Sequence, residues 1–192
     1  MDDPVSRALE EIKSALNELQ VQFCIVGSLA SSAHGVPRAT MDVDLLTRIS
    51  RDQANRLAST LGASWSVDVQ AANDALRHGR AFNIFNLPAG LKFDFFPAFN
   101  DFHNAQLERA TTMALADGTV RCPIASAEDV VLAKLQWYRL GGEVSETQWR
   151  DILGLLQAGP LDSTYMRTWA RRLRVDDLLS RAFAESHVHP RS

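Results

Sequence analysis

The sequence contains little of what marks several specialised classes of protein. Its 192 residues include only two cysteines, Cys24 and Cys122, and these form no Cys-x-x-Cys pair. Neither a disulfide framework nor a cysteine-based zinc site is therefore indicated. No apolar run approaches membrane-spanning length, and residues 1–20 are amphipathic and acidic rather than signal-like. We expect a cytoplasmic protein that has no association with a membrane.

The chain also lacks a strong excess of charge of either sign. Lys and Arg number 20 and Asp and Glu number 23, so the net charge is −3 at pH 7. This balance argues against a protein that coats nucleic acid, although it leaves room for a local basic patch. Hydrophobic residues make up 46% of the sequence and charged residues 22%, which is ordinary for a globular protein with its own core.

Strand and helix patterns alternate over the first two thirds of the chain. Asp3-Pro4 is a good helix start, and Ser50 with Gln53 forms a capping box for a later helix. Apolar alternation predicts strands at 22–26, 42–46, 65–69, 82–86 and 91–96. A second hairpin is predicted around Asp117-Gly118, whereas residues 71–80 carry no clear pattern.

After Pro123 the pattern becomes helical. Helices are predicted after the capping residues Ser126, Ser145 or Thr147, and Asp162, with a fourth over 176–185. We therefore predict an α/β (α+β) fold in which a mixed, mostly antiparallel sheet is flanked by helices. Residues 1–124 would form this domain, and residues 125–192 a C-terminal helical region packed on it.

One stretch combines a Gly-Ser turn with a pair of acidic residues. The apolar segment 23–26 runs into Gly27-Ser28, and a second apolar segment contains Asp42 and Asp44. Because side chains in a strand alternate between faces, the two carboxylates point the same way. Carboxylates held side by side repel each other and favour a cation between them. The Gly-Ser turn offers N–H groups and a hydroxyl to a phosphate, which Gly27 allows to approach closely.

A third carboxylate lies in the segment 91–96. Leu91, Phe93 and Phe95 share one face of this strand, and Asp94 lies on the other. The alternative to a metal site is that Asp42 and Asp44 mark a solvated strand end and Asp94 a strand bulge or edge. Likewise, Gly27-Ser28 could be a plain strand-to-helix turn.

This arrangement resembles the nucleotidyltransferase superfamily typified by polymerase beta. Its motif residues are most similar to the small prokaryotic branch that includes abortive-infection toxins, and the gap between Ser28 and Asp42 is at the upper end of the family's range. The resemblance implies that Asp42 and Asp44 bind two Mg²⁺ ions, or Mn²⁺, and that Asp94 shares one of them. It also implies that Ser28 binds the terminal phosphates and that Asp94 accepts a proton from the acceptor.

Three further residues are candidates for the nucleotide site. Arg38 precedes the acidic pair and could reach the triphosphate, or it could be an ordinary surface arginine. Lys134 lies on an apolar helix face and needs an acid or a phosphate as a partner. The resemblance implies that Lys134 meets the nucleotide phosphates and that Asp151 orients it. The alternative is a structural salt bridge between two helices.

The resemblance implies an enzyme that moves a nucleoside monophosphate from a nucleoside triphosphate, such as ATP, to an acceptor hydroxyl. An RNA end such as that of tRNA, a protein side chain and a small molecule such as an aminoglycoside stay open as acceptors. The oligomeric state is open as well. The alternative function is a non-catalytic nucleotide-binding module, or an interaction module of a toxin–antitoxin pair, with the same fold.

Overall fold

The computed structural model describes residues 3–36, 40–115 and 120–188. Within these ranges seven strands form one mixed sheet, in the order β3-β4-β5-β2-β1-β7-β6. The strands are β1 Phe23–Ile25, β2 Asp42–Thr47, β3 Trp65–Ser66, β4 Phe82–Asn86, β5 Leu91–Pro97, β6 Thr111–Leu115 and β7 Val120–Ile124. The pairs β1/β7 and β2/β5 are parallel, and the other four neighbouring pairs are antiparallel. The predicted α/β fold with a mostly antiparallel sheet is thus confirmed.

Helices flank this sheet and make up the part of the chain that follows it. They are α1 Pro4–Glu18, α2 Gly27–Ala33, α3 Arg51–Leu61, α4 Val69–Arg77, α5 Asp101–Arg109, α6 Ala127–Leu140, α7 Glu146–Ala158, α8 Ser163–Leu173 and α9 Asp176–Val188. The helix α6 contacts α2 as well as α7, α8 and α9, so it joins the sheet region to the C-terminal helices. No helix in the described ranges is both long enough and apolar enough to cross a membrane.

Side-chain caps explain where most of these helices begin. The predicted caps Asp3, Ser50, Ser126 and Asp162 each accept a backbone N–H of the first turn, and Ser145 rather than Thr147 caps α7. Each cap provides an acceptor for an N–H group that has no partner within the helix. These helix starts are therefore local properties of the sequence.

The strand predicted at 65–69 is wrong beyond Ser66. Asp68 accepts a hydrogen bond from the backbone N–H of Ala71 at 2.9 Å and so caps α4, which occupies most of the stretch that had no clear pattern. A short polar cap outweighed the β-propensity of the two valines, Val67 and Val69.

The change to helix also comes later than Pro123, because β7 continues through this residue to Ile124. Pro123 pairs with Thr112 of β6, and the parallel register with β1 joins Ile124 to Ile25. Proline has no backbone N–H, so it is tolerated at a strand position where no N–H is needed for a hydrogen bond to the neighbouring strand. The strands β6 and β7 pair antiparallel as predicted, and the Asp117-Gly118 turn lies outside the described residues.

Strand β5 has one apolar face and one charged face. Leu91, Phe93 and Phe95 are buried, whereas Lys92 and Asp94 between them are partly exposed. The ring of Trp65 packs on Phe93 with centroids 5.0 Å apart, and its Nε1 donates to Glu11 of α1 at 2.8 Å. The apolar face therefore lies toward α1, and the charged face points away from that side of the core.

Truncation of the apolar face should be costly. We expect Phe93→Ala to lower the free energy of unfolding by about 3–5 kcal/mol, because it leaves a cavity in the core. The matched control is Phe85→Ala on the adjacent strand, where the ring is 42% exposed; here the loss should stay below about 1 kcal/mol. Denaturant unfolding measures both variants, and equal losses would contradict the assigned faces of this hairpin.

Candidate active site

The parallel pairing of β2 with β5 brings the predicted acidic residues together. Its register places Asp44 directly beside Asp94, and Asp42 directly beside Lys92. Val43 and Leu45 are buried on the opposite face, as the alternation predicts. Three carboxylates and one ammonium group therefore lie on one face of two neighbouring strands.

Lys92 joins two of these carboxylates. Its Nζ lies 2.9 Å from Asp94 Oδ2 and 3.4 Å from Asp42 Oδ1. The hydrogen bond to Asp94 raises the pKa of Lys92, so this side chain is an ammonium ion at neutral pH. The sequence analysis did not select Lys92, because its position beside Asp42 depends on a strand pairing that no local pattern shows.

Burial and neighbouring negative charges both act on Asp44. Its pKa is raised to about 6, first by burial and then by the negative charges of Asp94 and Asp42. The positive charges of Lys92 and Lys134 act in the opposite direction. Like charges and a low dielectric constant disfavour the ionised form of Asp44. A cation bound beside this carboxylate would therefore be stabilising.

Gly27 makes room for the carboxylate of Asp44. A Cβ at Gly27 would overlap Asp44 Oδ2, far inside the van der Waals contact distance, and would lie 2.8 Å from Asp44 Cγ. The residue also has φ of +65°, which L side chains rarely adopt. The structure thus gives this glycine a role besides the close phosphate approach predicted for it.

Lys134 and Asp151 form an ion pair between α6 and α7. The Nζ of Lys134 donates to Asp151 Oδ2 at 2.9 Å, and both residues are buried. The pairing predicted from the sequence is therefore present. Asp151 lies behind the lysine, because Lys134 and not Asp151 lines the cleft beside Asp44.

A cleft of about 770 Å³ opens beside these groups. Gly27 and Ser28 line it from the start of α2, Asp44 lines it from β2, and Lys134 and Trp137 line it from α6. The cleft therefore brings together the predicted Gly-Ser turn, one carboxylate and the predicted lysine. Asp42 and Asp94 lie next to Asp44 on the strands, and Arg38 lies outside the described residues.

The far wall of the cleft is apolar and was missed by the sequence analysis. Phe99, Trp137 and Leu140 line it and are 69%, 57% and 76% exposed. His103 also lines the cleft, with its ring edge against Phe99 and its pKa lowered by burial. No sequence pattern separates Phe99 and Trp137 from core positions, because their exposure depends on how distant parts of the chain pack.

A second polar group, centred on Asp129, is structural. Its buried carboxylate accepts hydrogen bonds from Tyr165 Oη at 2.6 Å and Ser126 Oγ at 2.7 Å, and Arg109 Nε lies 3.5 Å away. Burial raises the pKa of Asp129. These contacts join α5 and α8 to α6, and both α5 and α6 carry residues that line the cleft.

The acidic residues suit a divalent cation in their donor chemistry. Carboxylate oxygens are the ligands that Mg²⁺ prefers, and Asp44 lies where negative charge is in surplus. In the described part of the chain, no three His, Cys, Asp or Glu side chains converge as a metal cluster. Lys92 instead lies between Asp42 and Asp94, so a metal bound to both would require its movement.

The fold is similar to that of known nucleotidyltransferase-like structures. A nucleotidyltransferase-like antigenic protein from Paracoccidioides brasiliensis is 18% identical with a TM-score of 0.56, and the match covers 94% of this chain and 92% of that one. The antibiotic-resistance factor ANT(2'')-Ia is 16% identical with a TM-score of 0.53, and the match covers 98% and 100%. The same factor in complex with adenylyl-2''-tobramycin also has a TM-score of 0.53 at 16% identity, with coverage of 90% and 98%.

Scans of the sequence against protein-family models and curated proteins gave no match. The structural likeness confirms the fold that the resemblance implied. It covers nearly the whole chain, including the C-terminal helices.

The fit of Asp44 against Gly27 leads to a prediction about the variant Gly27→Ala. We expect a larger loss of unfolding free energy than in Gly90→Ala, which has a nearly equal φ of +64° and no atom near the added Cβ. The control should lose about 1–2 kcal/mol from backbone strain alone. The excess at Gly27 comes from the carboxylate of Asp44 and is measured by denaturant unfolding.

A double-mutant cycle isolates that contact. Asp44→Ala removes the two nearest atoms and leaves a Cβ at 3.1 Å from the added methyl group. In the Asp44→Ala background most of the excess cost of Gly27→Ala should therefore disappear. Equal costs of Gly27→Ala in both backgrounds would show that the carboxylate is not what requires glycine.

Proposed function

We propose that this protein transfers a nucleoside monophosphate from a nucleoside triphosphate to an acceptor hydroxyl. The observation that carries the proposal is the register of β2 and β5, which places three carboxylates beside a cleft lined by Gly27, Ser28 and Lys134. The fold supports it, since the similar protein ANT(2'')-Ia has been solved with an adenylyl derivative of tobramycin.

Asp42, Asp44 and Asp94 are the residues that would hold Mg²⁺ or Mn²⁺, with two ions as the family resemblance implies. The metal would supply positive charge to the triphosphate and lower the pKa of the attacking hydroxyl. Asp94 is 19% exposed and lies beside Asp44, so it is placed to accept the proton of that hydroxyl.

The cleft also supplies groups that can bind the phosphates. Ser28 offers a hydroxyl, and Lys134 offers an ammonium group whose position is set by the buried Asp151. An ammonium held in place before binding loses little freedom when a phosphate arrives. Arg38 is proposed as a further phosphate contact on the family resemblance alone.

The composition of the cleft bears on the acceptor. Among its described lining residues Asp44 is the only acid, whereas Arg80 and Lys134 are basic. A polycationic acceptor would therefore find few carboxylates there. The exposed rings of Phe99 and Trp137 favour an acceptor that presents a planar or apolar group. RNA ends, protein side chains and small molecules that carry such a group all stay open.

One observation favours the second candidate function, a non-catalytic nucleotide-binding module or an interaction module of a toxin–antitoxin pair. Lys92 already neutralises part of the charge of Asp42 and Asp94, so the three carboxylates are partly compensated without metal. The direct test is to incubate the purified protein with Mg²⁺, labelled nucleoside triphosphates and a cell extract. Transfer of label to an extract component supports the enzyme, and nucleotide binding without transfer supports the module.

The Lys134–Asp151 pair leads to a prediction with two readouts. Lys134→Met should lower the unfolding free energy by about 3–5 kcal/mol, because it removes the ammonium group from a buried carboxylate. The double variant Lys134→Met/Asp151→Leu should regain part of that loss. If Lys134 also binds phosphate, nucleotide affinity measured by calorimetry stays weak in this restabilised double variant. Normal affinity there would leave Lys134 with a structural role only.

Asp94→Asn separates binding from transfer, because it keeps the shape of the side chain and removes its charge. We expect nucleotide affinity to stay near that of the unaltered protein while the transfer rate falls by about 10²–10⁴, as for a lost general base. The matched control is Asp52→Asn in the exposed first turn of α3, which should transfer normally. Unimpaired transfer by Asp94→Asn would remove this residue from the reaction.

A further inference from the structure

Lys92 lies within the proposed metal site, and the role inferred for it rests on that site. Lys92 lies on the same face of β5 as Asp94, two residues before it, and directly beside Asp42 of β2. Its position is therefore fixed by the same strand pairing that brings the carboxylates together. A lysine at this position reaches the carboxylates of both Asp42 and Asp94.

The contacts of Lys92 match those of a bridging cation. Its Nζ is 2.9 Å from Asp94 Oδ2 and 3.4 Å from Asp42 Oδ1, so one positive charge bridges the two side chains. The other lysine near the site, Lys134, donates to Asp151 instead. Within the described residues, Lys92 is thus the cation in direct contact with the acidic face.

A divalent ion and the ammonium of Lys92 would compete for the same oxygens. An ion bound to Asp42 and Asp94 would use the lone pairs that now accept from Lys92, and two cations this close repel each other strongly. The side chain of Lys92 is 33% exposed, so its long stem can rotate toward solvent without disturbing the core.

We propose that Lys92 is an internal counter-ion of the acidic site, which holds Asp42 and Asp94 in the metal-free protein and withdraws when a divalent cation binds them. Lys92 therefore weakens metal binding while it stabilises the metal-free fold. This role makes occupancy of the site conditional on a ligand that brings further negative charge, as a triphosphate does.

The test is a titration of the full-length, metal-free protein with Mn²⁺, in which bound ion is measured by electron paramagnetic resonance. We expect Lys92→Met to bind Mn²⁺ roughly tenfold more tightly or better, because a like charge has been removed from the site. Lys92→Arg keeps the charge and should bind no more tightly than the unaltered protein. Lys13→Met removes a partly exposed lysine that pairs with Glu10 and should change nothing.

Thermal unfolding provides the second readout. Lys92→Met should melt at a lower temperature than the unaltered protein without metal and should gain more from saturating Mn²⁺. Lys92→Gln keeps a hydrogen-bond donor and repeats the test if the methionine variant folds poorly. Unchanged or weaker Mn²⁺ affinity in both neutral variants would overturn the proposal, as would the absence of Mn²⁺ binding in every variant.

These outcomes are distinguishable from failure of the proposed function. If Mn²⁺ binds, is lost in Asp42→Asn and tightens in Lys92→Met, the counter-ion role stands even when no nucleotide transfer is found. If transfer is found but Mn²⁺ affinity is the same with and without Lys92, the function stands and the counter-ion role fails.

Discussion

The repulsion between carboxylates on β2 and β5 is the constraint on which the candidate site depends. Parallel pairing in one register places Asp44 beside Asp94, and burial raises the free-energy cost of charging Asp44. Two neighbouring residues reduce the repulsion or accommodate the carboxylates. Gly27 leaves space for the carboxylate of Asp44, and Lys92 provides a positive charge to Asp42 and Asp94. The stability of this cluster therefore depends on the small size of Gly27 and on the positive charge of Lys92.

Much of this arrangement could be predicted because it depends on residues that are close together in the sequence. Alternation of apolar and acidic residues shows that Asp42 and Asp44 share a face and that Asp94 opposes the apolar residues of its strand. Capping residues such as Ser50 and Ser126 mark helix starts, since a side chain three residues from its partner needs no tertiary information. These signals locate most of the helices and strands, and the similar solved structures share the resulting fold.

Other parts could not be predicted, because they depend on which elements meet. Lys92 gains its contact with Asp42 only from the β2–β5 register, and Asp129 gains Tyr165 across 36 positions of sequence. The exposure of Trp137 depends on how α6 packs, since the same residue would fit a core position. Helix α4 was missed because its cap, Asp68, competes with strand-forming valines on either side.

The central claim is that the acidic face of β2 and β5 binds the metal that accompanies a nucleoside triphosphate in the cleft. The most direct measurement is a crystal structure of the protein with Mn²⁺ and a non-hydrolysable triphosphate, with anomalous scattering to locate the metal. We predict an anomalous peak in contact with Asp42 and Asp44, with the phosphates between that peak and Lys134. A metal peak away from both aspartates, or a triphosphate bound outside the cleft, would contradict the account.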